Sequence, residues 1–242
     1  MFPRPTWYSP TSPTSSCPNV LMTRVALYLG GPPPPNAMIA QSGKAADFRI
    51  AVDGGINMFI DIDGLAWEPD LLIGDLDSAV ADALVSGSWL KVEEADQNTT
   101  DLEKALRYLA QDSASRAPGL AKLAELDLTL FGAVGGRSDH FLSNLFALGK
   151  LPASTGVRLL APGELMIRVT PERPLSLDTR PGDQVSILPF APCVVSTLGL
   201  KWELESEPLA PDGLVSQSNQ ATGTGFKVRT HAGQCWVIVN DA

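Results

Sequence analysis

Histidine and cysteine are scarce, with two and three residues in a chain of 242. The cysteines, Cys17, Cys193 and Cys235, are widely spaced and form no CxxC pair. That excludes a thiolate zinc site and a disulfide framework, and it fits a reducing, cytoplasmic setting. With so few imidazoles and thiols, any metal must be held by oxygen, which selects magnesium or a similar hard ion. Positive charge is also short: 18 Lys and Arg stand against 27 Asp and Glu, a formal net charge of -9. A nucleic-acid binder carries a basic face, so nucleic acid is not an expected partner. No apolar run approaches the roughly 20 residues of a membrane-spanning helix, so no membrane partner is expected either.

What is present is an ordinary globular composition, 44% apolar, long enough for one large domain or two small ones with real cores. Residues 1–22 are rich in Pro, Ser and Thr and lack periodicity, and they read as a disordered tail. A start at Met22 is the simpler account of the same stretch. From 23 to 152, apolar strands alternate with amphipathic helices. Strands are expected at 25–29, 49–52, 71–73, 90–92 and 128–134, and helices at 36–46, 120–126 and 139–148. Thr100-Asp101-Leu102-Glu103 is a capping box and starts a further helix with a Leu102, Ala105, Leu106, Leu109 stripe. Such alternation implies a Rossmann-like, mostly parallel sheet with helices on both faces. After 153 the pattern changes to short strands and many turns. Candidate strands at 157–160, 165–169, 184–188, 194–198, 213–216, 225–230 and 235–239 read as an all-β sandwich.

The chemistry gathers at the ends of the early strands. Gly74-Asp75-Leu76-Asp77-Ser78 follows the run Leu71-Leu72-Ile73. Asp75 and Asp77 are one residue apart and share a face of an extended segment. Two like charges on one face repel unless a cation lies between them. The plainer alternative is a polar loop in which Asp77 or Ser78 caps a helix. Asp53-Gly54-Gly55, the segment from Asp96 through Thr99 and Thr100 to Asp101, and Gly135-Gly136-Arg137-Ser138-Asp139-His140 repeat the arrangement. In open parallel sheets ligands bind at the carboxyl ends of strands. The four segments together therefore read as one acidic, glycine-lined pocket for magnesium and a nucleoside triphosphate. Arg137 suits a bidentate grip on phosphate, although a salt bridge to a nearby Asp would explain it as well. In the β-rich half, Trp202 sits near a turn, with core packing as the alternative role. Ser216 and Asn219 lie in a polar cluster that a simple turn would also explain.

Taken in order, AVDGG (51–55), PDLLIGDLDS (69–78), DQNTTDLEKAL (96–106), GAVGGRSDH (132–140), GLKW (199–202) and LVSQSN (214–219) resemble the thiamine pyrophosphokinase family. The resemblance covers nearly the whole chain from about Met22. It implies a catalytic ATP- and magnesium-binding α/β domain at 23–152, a thiamine-binding sandwich at 153–242, and a homodimer. It implies transfer of the β,γ-pyrophosphate of ATP to the thiamine hydroxyl, giving thiamine diphosphate and AMP. By the same resemblance Asp75, Asp77 and Asp101 hold the metal and, with Arg137, carry the chemistry. Asp53, Gly54, Gly55, Asp96, Thr99, Thr100, Gly135, Gly136, Asp139 and His140 form the ATP side. Trp202, Ser216 and Asn219 form the thiamine side, contributed across the dimer. Asn98 departs from the pattern, since many relatives carry Asp there, and the prolines at 32–35 are unusual. Rival readings are a pyrophosphokinase for another alcohol, such as a hydroxymethylpterin, and a non-catalytic nucleotide or thiamine sensor.

Overall fold

The structure is a computed structural model that describes residues 22–60, 67–75, 89–94, 96, 98–111 and 120–240. Two compact units divide the chain, one spanning Leu21–Pro162 and the other containing Gly163–Ala242. The described residues of the first unit form six strands: β1 (Thr23–Tyr28), β2 (Phe48–Val52), β3 (Leu71–Gly74), β4 (Leu90–Glu93), β5 (Leu126–Phe131) and β6 (Gly156–Ala161). They lie in the order β6-β5-β1-β2-β3-β4, and every pairing between neighbours is parallel. The sequence explains this arrangement. Val25 to Tyr28, Ile50 to Val52 and Leu71 to Ile73 are continuous apolar runs with almost no solvent exposure, as strands covered on both faces require.

Among the described residues, four helices accompany the sheet: α1 (Asn36–Ala45), α2 (Asn57–Ile60), α3 (Asp101–Ala110) and α4 (Ser138–Gly149). The capping box opens α3 as expected. Thr100 Oγ1 accepts from the Glu103 amide at 3.3 Å, and Glu103 Oε2 accepts from the Thr100 amide at 3.1 Å. Behind the cap, α3 packs on β3 and buries Leu102, Ala105, Leu106 and Leu109. Each buried leucine contributes about 1.5–3 kcal/mol.

Several expectations need correction. The helix expected at 120–126 is only a single 3-10 turn at Leu123–Glu125, after which β5 begins. Leu126, Leu128 and Leu130 are buried while Asp127 and Thr129 are half-buried, so period-2 alternation, not helical spacing, governs there. Strand β5 also ends at Phe131, because Gly132 turns the chain with φ 66°. Strand β6, expected at the head of the β-rich half, pairs in parallel with β5.

Among the described residues, the regular elements of the second unit are all strands: β7 (Glu164–Val169), β8 (Leu175–Asp178), β9 (Gln184–Pro189), β10 (Cys193–Leu198), β11 (Glu207–Leu209), β12 (Ser216–Gln220), β13 (Gly225–Ala232) and β14 (Cys235–Asn240). They form two antiparallel sets, β12-β9-β14-β7 and β11-β10-β13-β8. Val185, Ile187, Val195, Val237 and Val239 are fully buried here, and the free thiols Cys193 and Cys235 are buried as well. The strand expected at 213–216 starts only at Ser216. Leu214 and Val215 are exposed, and the polar run that follows makes the ladder, with a register shift between Ser216 and Asn219. Strands β8 and β11 were not foreseen, being only four and three residues long. Among the described residues, no helix is long and apolar enough to cross a membrane.

Candidate active site

Strand β1 pairs with β2 on one side and with β5 on the other. The chain therefore progresses outward in both directions from β1, which makes its carboxyl end a topological switch point. The segments that follow the parallel strands share this edge: Gly30-Gly31, Asp53-Gly54-Gly55, Asp75, Asp96 and the turn through Gly135-Gly136. They fit closely because several are glycines. A Cβ on Gly55 would collide with the Tyr28 carbonyl, and one on Gly31 with the Gly132 carbonyl.

Asp53 is the least ordinary residue of this edge. It follows β2 with φ 45°, a left-handed conformation uncommon outside glycine. It is 5% exposed, and its Oδ1 has no hydrogen-bond partner among the described residues. A Cβ built on Gly74 would lie 2.8 Å from the Asp53 Cβ, which places Asp53 against the residue preceding Asp75. A buried carboxylate oxygen with no partner is costly, and strain of this kind concentrates at functional positions.

Asp75 and Asp101 meet on a residue that the sequence reading passed over. Lys104 Nζ donates to Asp75 Oδ2 at 2.9 Å and to Asp101 Oδ1 at 2.8 Å. Its side chain is 2% exposed. Burial pulls the ammonium pKa down, but the hydrogen bonds to Asp101 and Asp75 outweigh it and leave the net shift upward. The signal in the sequence was the i,i+3 spacing of Asp101 and Lys104 on a helix. Asp77 lies outside the described residues. Among the described residues, no three His, Cys, Asp or Glu side chains gather closely enough to hold a metal. The oxygen-only donors and the orphaned Asp53 oxygen nevertheless suit a hard divalent cation.

Asp96 is engaged from every side. It accepts from the Asn98 amide (2.9 Å), Asn98 Nδ2 (3.2 Å), Thr99 Oγ1 (3.1 Å) and Arg107 Nη2 (3.2 Å). These bonds, the Asn98 amide foremost, hold its pKa at about 2. Asn98 thus has a physical reason: its side-chain Nδ2 donates to Asp96, where an Asp would bring a second negative charge.

Arg137 and Asp139 pair with each other, Nε to Oδ1 at 3.1 Å and Nη2 to Oδ2 at 2.6 Å. Both are well exposed, and the guanidinium holds Asp139 at about pKa 2. This is the salt bridge weighed against a phosphate role, and it leaves both groups at the surface. The His140 amide donates to Asp139 Oδ1 at 3.0 Å. Gly135 and Gly136 adopt φ 85° and 66°, and the ring of Pro32 lies beside both. The unusual prolines therefore support the glycine turn.

In the second unit, Trp202 is 55% exposed, so core packing is not its role. Lys201 Nζ sits 4.5 Å from the indole centroid. Asn219, 2% exposed, holds the tryptophan backbone: Nδ2 donates to the Trp202 carbonyl at 2.7 Å, and Oδ1 accepts the Trp202 amide at 3.1 Å and the Gln220 amide at 2.9 Å. Glu203, also missed, accepts the amides of Gly199 and Leu200 at 2.6 and 3.0 Å and fastens the same turn. Ser216 opens β12 opposite Ile187.

Comparison with known proteins bears on both units. The profile of the thiamin pyrophosphokinase catalytic domain matches residues 39–160, and that of the thiamin pyrophosphokinase vitamin B1 binding domain matches 172–235. Thiamine pyrophosphokinase 1 of Arabidopsis thaliana is 28% identical over 218 residues, covering 80% of this chain and 78% of that protein. Thiamin pyrophosphokinase 1 of Caenorhabditis elegans is 25% identical over 204 residues, covering 82% of each. The solved thiamin pyrophosphokinase of Candida albicans shares the fold with a TM-score of 0.73, at 17% identity over 91% of this chain and 90% of that one.

Proposed function

The chain belongs to the thiamin pyrophosphokinase family, and we infer from this how its residues share the work. The reaction is transfer of the β,γ-pyrophosphate of ATP to the thiamine hydroxyl, giving thiamine diphosphate and AMP. The first unit, as a Rossmann-like domain with helices on both faces, takes ATP at the switch point. Phosphate oxygens lie against the Gly135-Gly136 turn, whose left-handed glycines suit an anion-binding loop. Arg137 leaves Asp139 to grip them. Exposure makes that exchange easy, since an ion pair in water contributes little. Asp53, Gly54, Gly55, Asp96, Thr99, Thr100 and His140 complete the ATP side.

Asp75, Asp77 and Asp101 hold magnesium, with the orphaned oxygen of Asp53 beside them. Bound magnesium supplies charge neutralisation for the polyphosphate. Asp77 or Asp101 takes the hydroxyl proton. The remaining acceleration is positioning and fixed charge, as phosphoryl-type transfer requires.

The second unit, a β-sandwich, binds thiamine through Trp202, Ser216 and Asn219. The indole face suits a cationic thiazolium, and Asn219 acts through its hold on Trp202. The match of residues 172–235 to the vitamin B1 binding profile favours thiamine over a pterin alcohol. The protein works as a cytoplasmic homodimer. Exposed Leu142 and Phe146, one turn apart on α4, and exposed Leu198 offer apolar surface that self-association would cover.

The observation that carries the site assignment is the buried Asp53 oxygen, without a partner among the described residues and packed against the Gly74 that precedes Asp75. The test incubates purified protein with ATP, magnesium and thiamine and resolves the products. Thiamine diphosphate and AMP in equal amounts are expected, and Asp75→Asn abolishes both while the protein stays folded. ADP with thiamine monophosphate would overturn the reaction, and normal turnover by Asp75→Asn would overturn the metal assignment.

A further inference from the structure

We propose that Lys104 is a resident cation that keeps free metal out of the Asp75–Asp101 pair, so that a divalent ion enters only together with nucleotide. The proposal rests on the metal reading given above and assigns a role to a residue outside it.

Lys104 is almost wholly buried, and both carboxylates lie within 2.9 Å of its nitrogen. An ammonium removed from water is tolerated only when paired, so the three groups form one unit. The consequence for metal binding follows from charge. A free divalent ion approaching Asp75 and Asp101 meets a positive charge already seated on both, and part of their attraction is spent. Asp75 and Asp101 against one ammonium leave a net charge of about -1 among these groups. A metal–nucleotide complex differs, because its phosphates are themselves drawn to the ammonium. Lys104 therefore penalises the bare ion and favours the complex. It also holds the carboxylates in place before the ion arrives, which lowers the reorganisation needed on binding. Lys104 is a positioning residue in this scheme and performs no step of the reaction.

The test measures Mn2+ binding to the full chain by electron paramagnetic resonance, without nucleotide and with ATP. The wild-type protein is expected to bind Mn2+ weakly alone and much more tightly with ATP. Lys104→Met is expected to bind Mn2+ alone about ten-fold or more tightly than wild type, since a like charge a few ångströms away is gone. Adding Asp75→Asn to that variant reverses the gain, which locates the ion. Equal or weaker Mn2+ binding by Lys104→Met overturns the proposal. Lys104→Arg keeps the charge and is expected to retain weak binding; tight binding by Lys104→Arg overturns it too, and this arm survives if Lys104→Met does not fold. The metal reading fails separately. If wild-type turnover persists in excess chelator, the ion is not part of the reaction. If turnover needs metal and Lys104→Met shows no gain, only the Lys104 assignment falls.

Discussion

Asn219→Ala should damage stability and thiamine recognition together. The amide of Asn219 is buried and makes three hydrogen bonds, two of them to the backbone of Trp202. Each such bond is worth about 0.5–1.5 kcal/mol net, and stranding the Trp202 amide and carbonyl adds desolvation, so the loss is about 2–4 kcal/mol. For a chain of this size that lowers Tm by roughly 5–15 °C. The same change frees the turn that presents the indole. The KM for thiamine should rise on the order of ten-fold, the equivalent of about 1.4 kcal/mol, while the KM for ATP stays close to wild type. Trp202→Ala is the discriminating companion. Its side chain is more than half exposed, so it should raise the thiamine KM similarly with a Tm shift of no more than a few degrees. Thermal melts followed by circular dichroism, with KM values from chromatographic product assays, decide the matter. An Asn219→Ala protein that melts like wild type, or one whose thiamine KM is unmoved, would refute the clamp.

Asp53→Asn should remove turnover yet leave the metal-free protein as stable as wild type or more so, because a buried carboxylate oxygen with no partner among the described residues is neutralised; a large drop in Tm would show that the carboxylate is structural. Thr100→Ala removes the α3 cap and should lower stability by about 1 kcal/mol, seen as a Tm shift of a few degrees. Arg137→Ala should raise the KM for ATP with Tm unchanged, since its only described ion-pair partner is the exposed Asp139; an unchanged KM would return Arg137 to a surface salt bridge. Asp96 and Asp139 titrate at about 2 in the folded chain, against an ordinary 3.8. Depressed folded values mean that their contribution is present above pH ~4 and lost as pH falls toward 2. NMR titration of the carboxyl carbons checks this, and an Asp96 midpoint near 3.8 would contradict the hydrogen bonds from Asn98, Thr99 and Arg107.

The parallel sheet was legible because its strands are uninterrupted apolar runs ending in glycine or aspartate. Asp53, Asp75 and Asp96 could be placed at strand ends for the same reason. Lys104 was hidden by its type. A lysine three residues into a capped helix reads as a solvated face, and only the packing of α3 on β3 carries it inward beside Asp75. Asn219 was legible as a residue, but its hold on Trp202 was not, since it reaches back 17 residues; Glu203 was missed because it lies just outside the GLKW motif whose turn it closes. The helix expected at 120–126 failed because its leucines have helical spacing over too few residues: the chain makes one 3-10 turn and then β5, paired with β1 and β6, draws Leu126 into the sheet.

The place of β1 in the middle of its sheet has a consequence for the order in which the chain assembles. Its partners on one edge follow within a few dozen residues, but on the other edge Thr23 is paired with Leu126. Pairings between such distant segments close slowly, because the intervening chain must first be ordered. A nascent chain that has reached β4 can zip β1 through β4 while the far side of β1 still offers bare amides and carbonyls along an apolar strand. Such an edge recruits any other extended chain nearby. Until β5 docks, the intermediate is at its most sticky, and a truncation just short of residue 126 should accumulate in aggregates even though four of the six strands are complete.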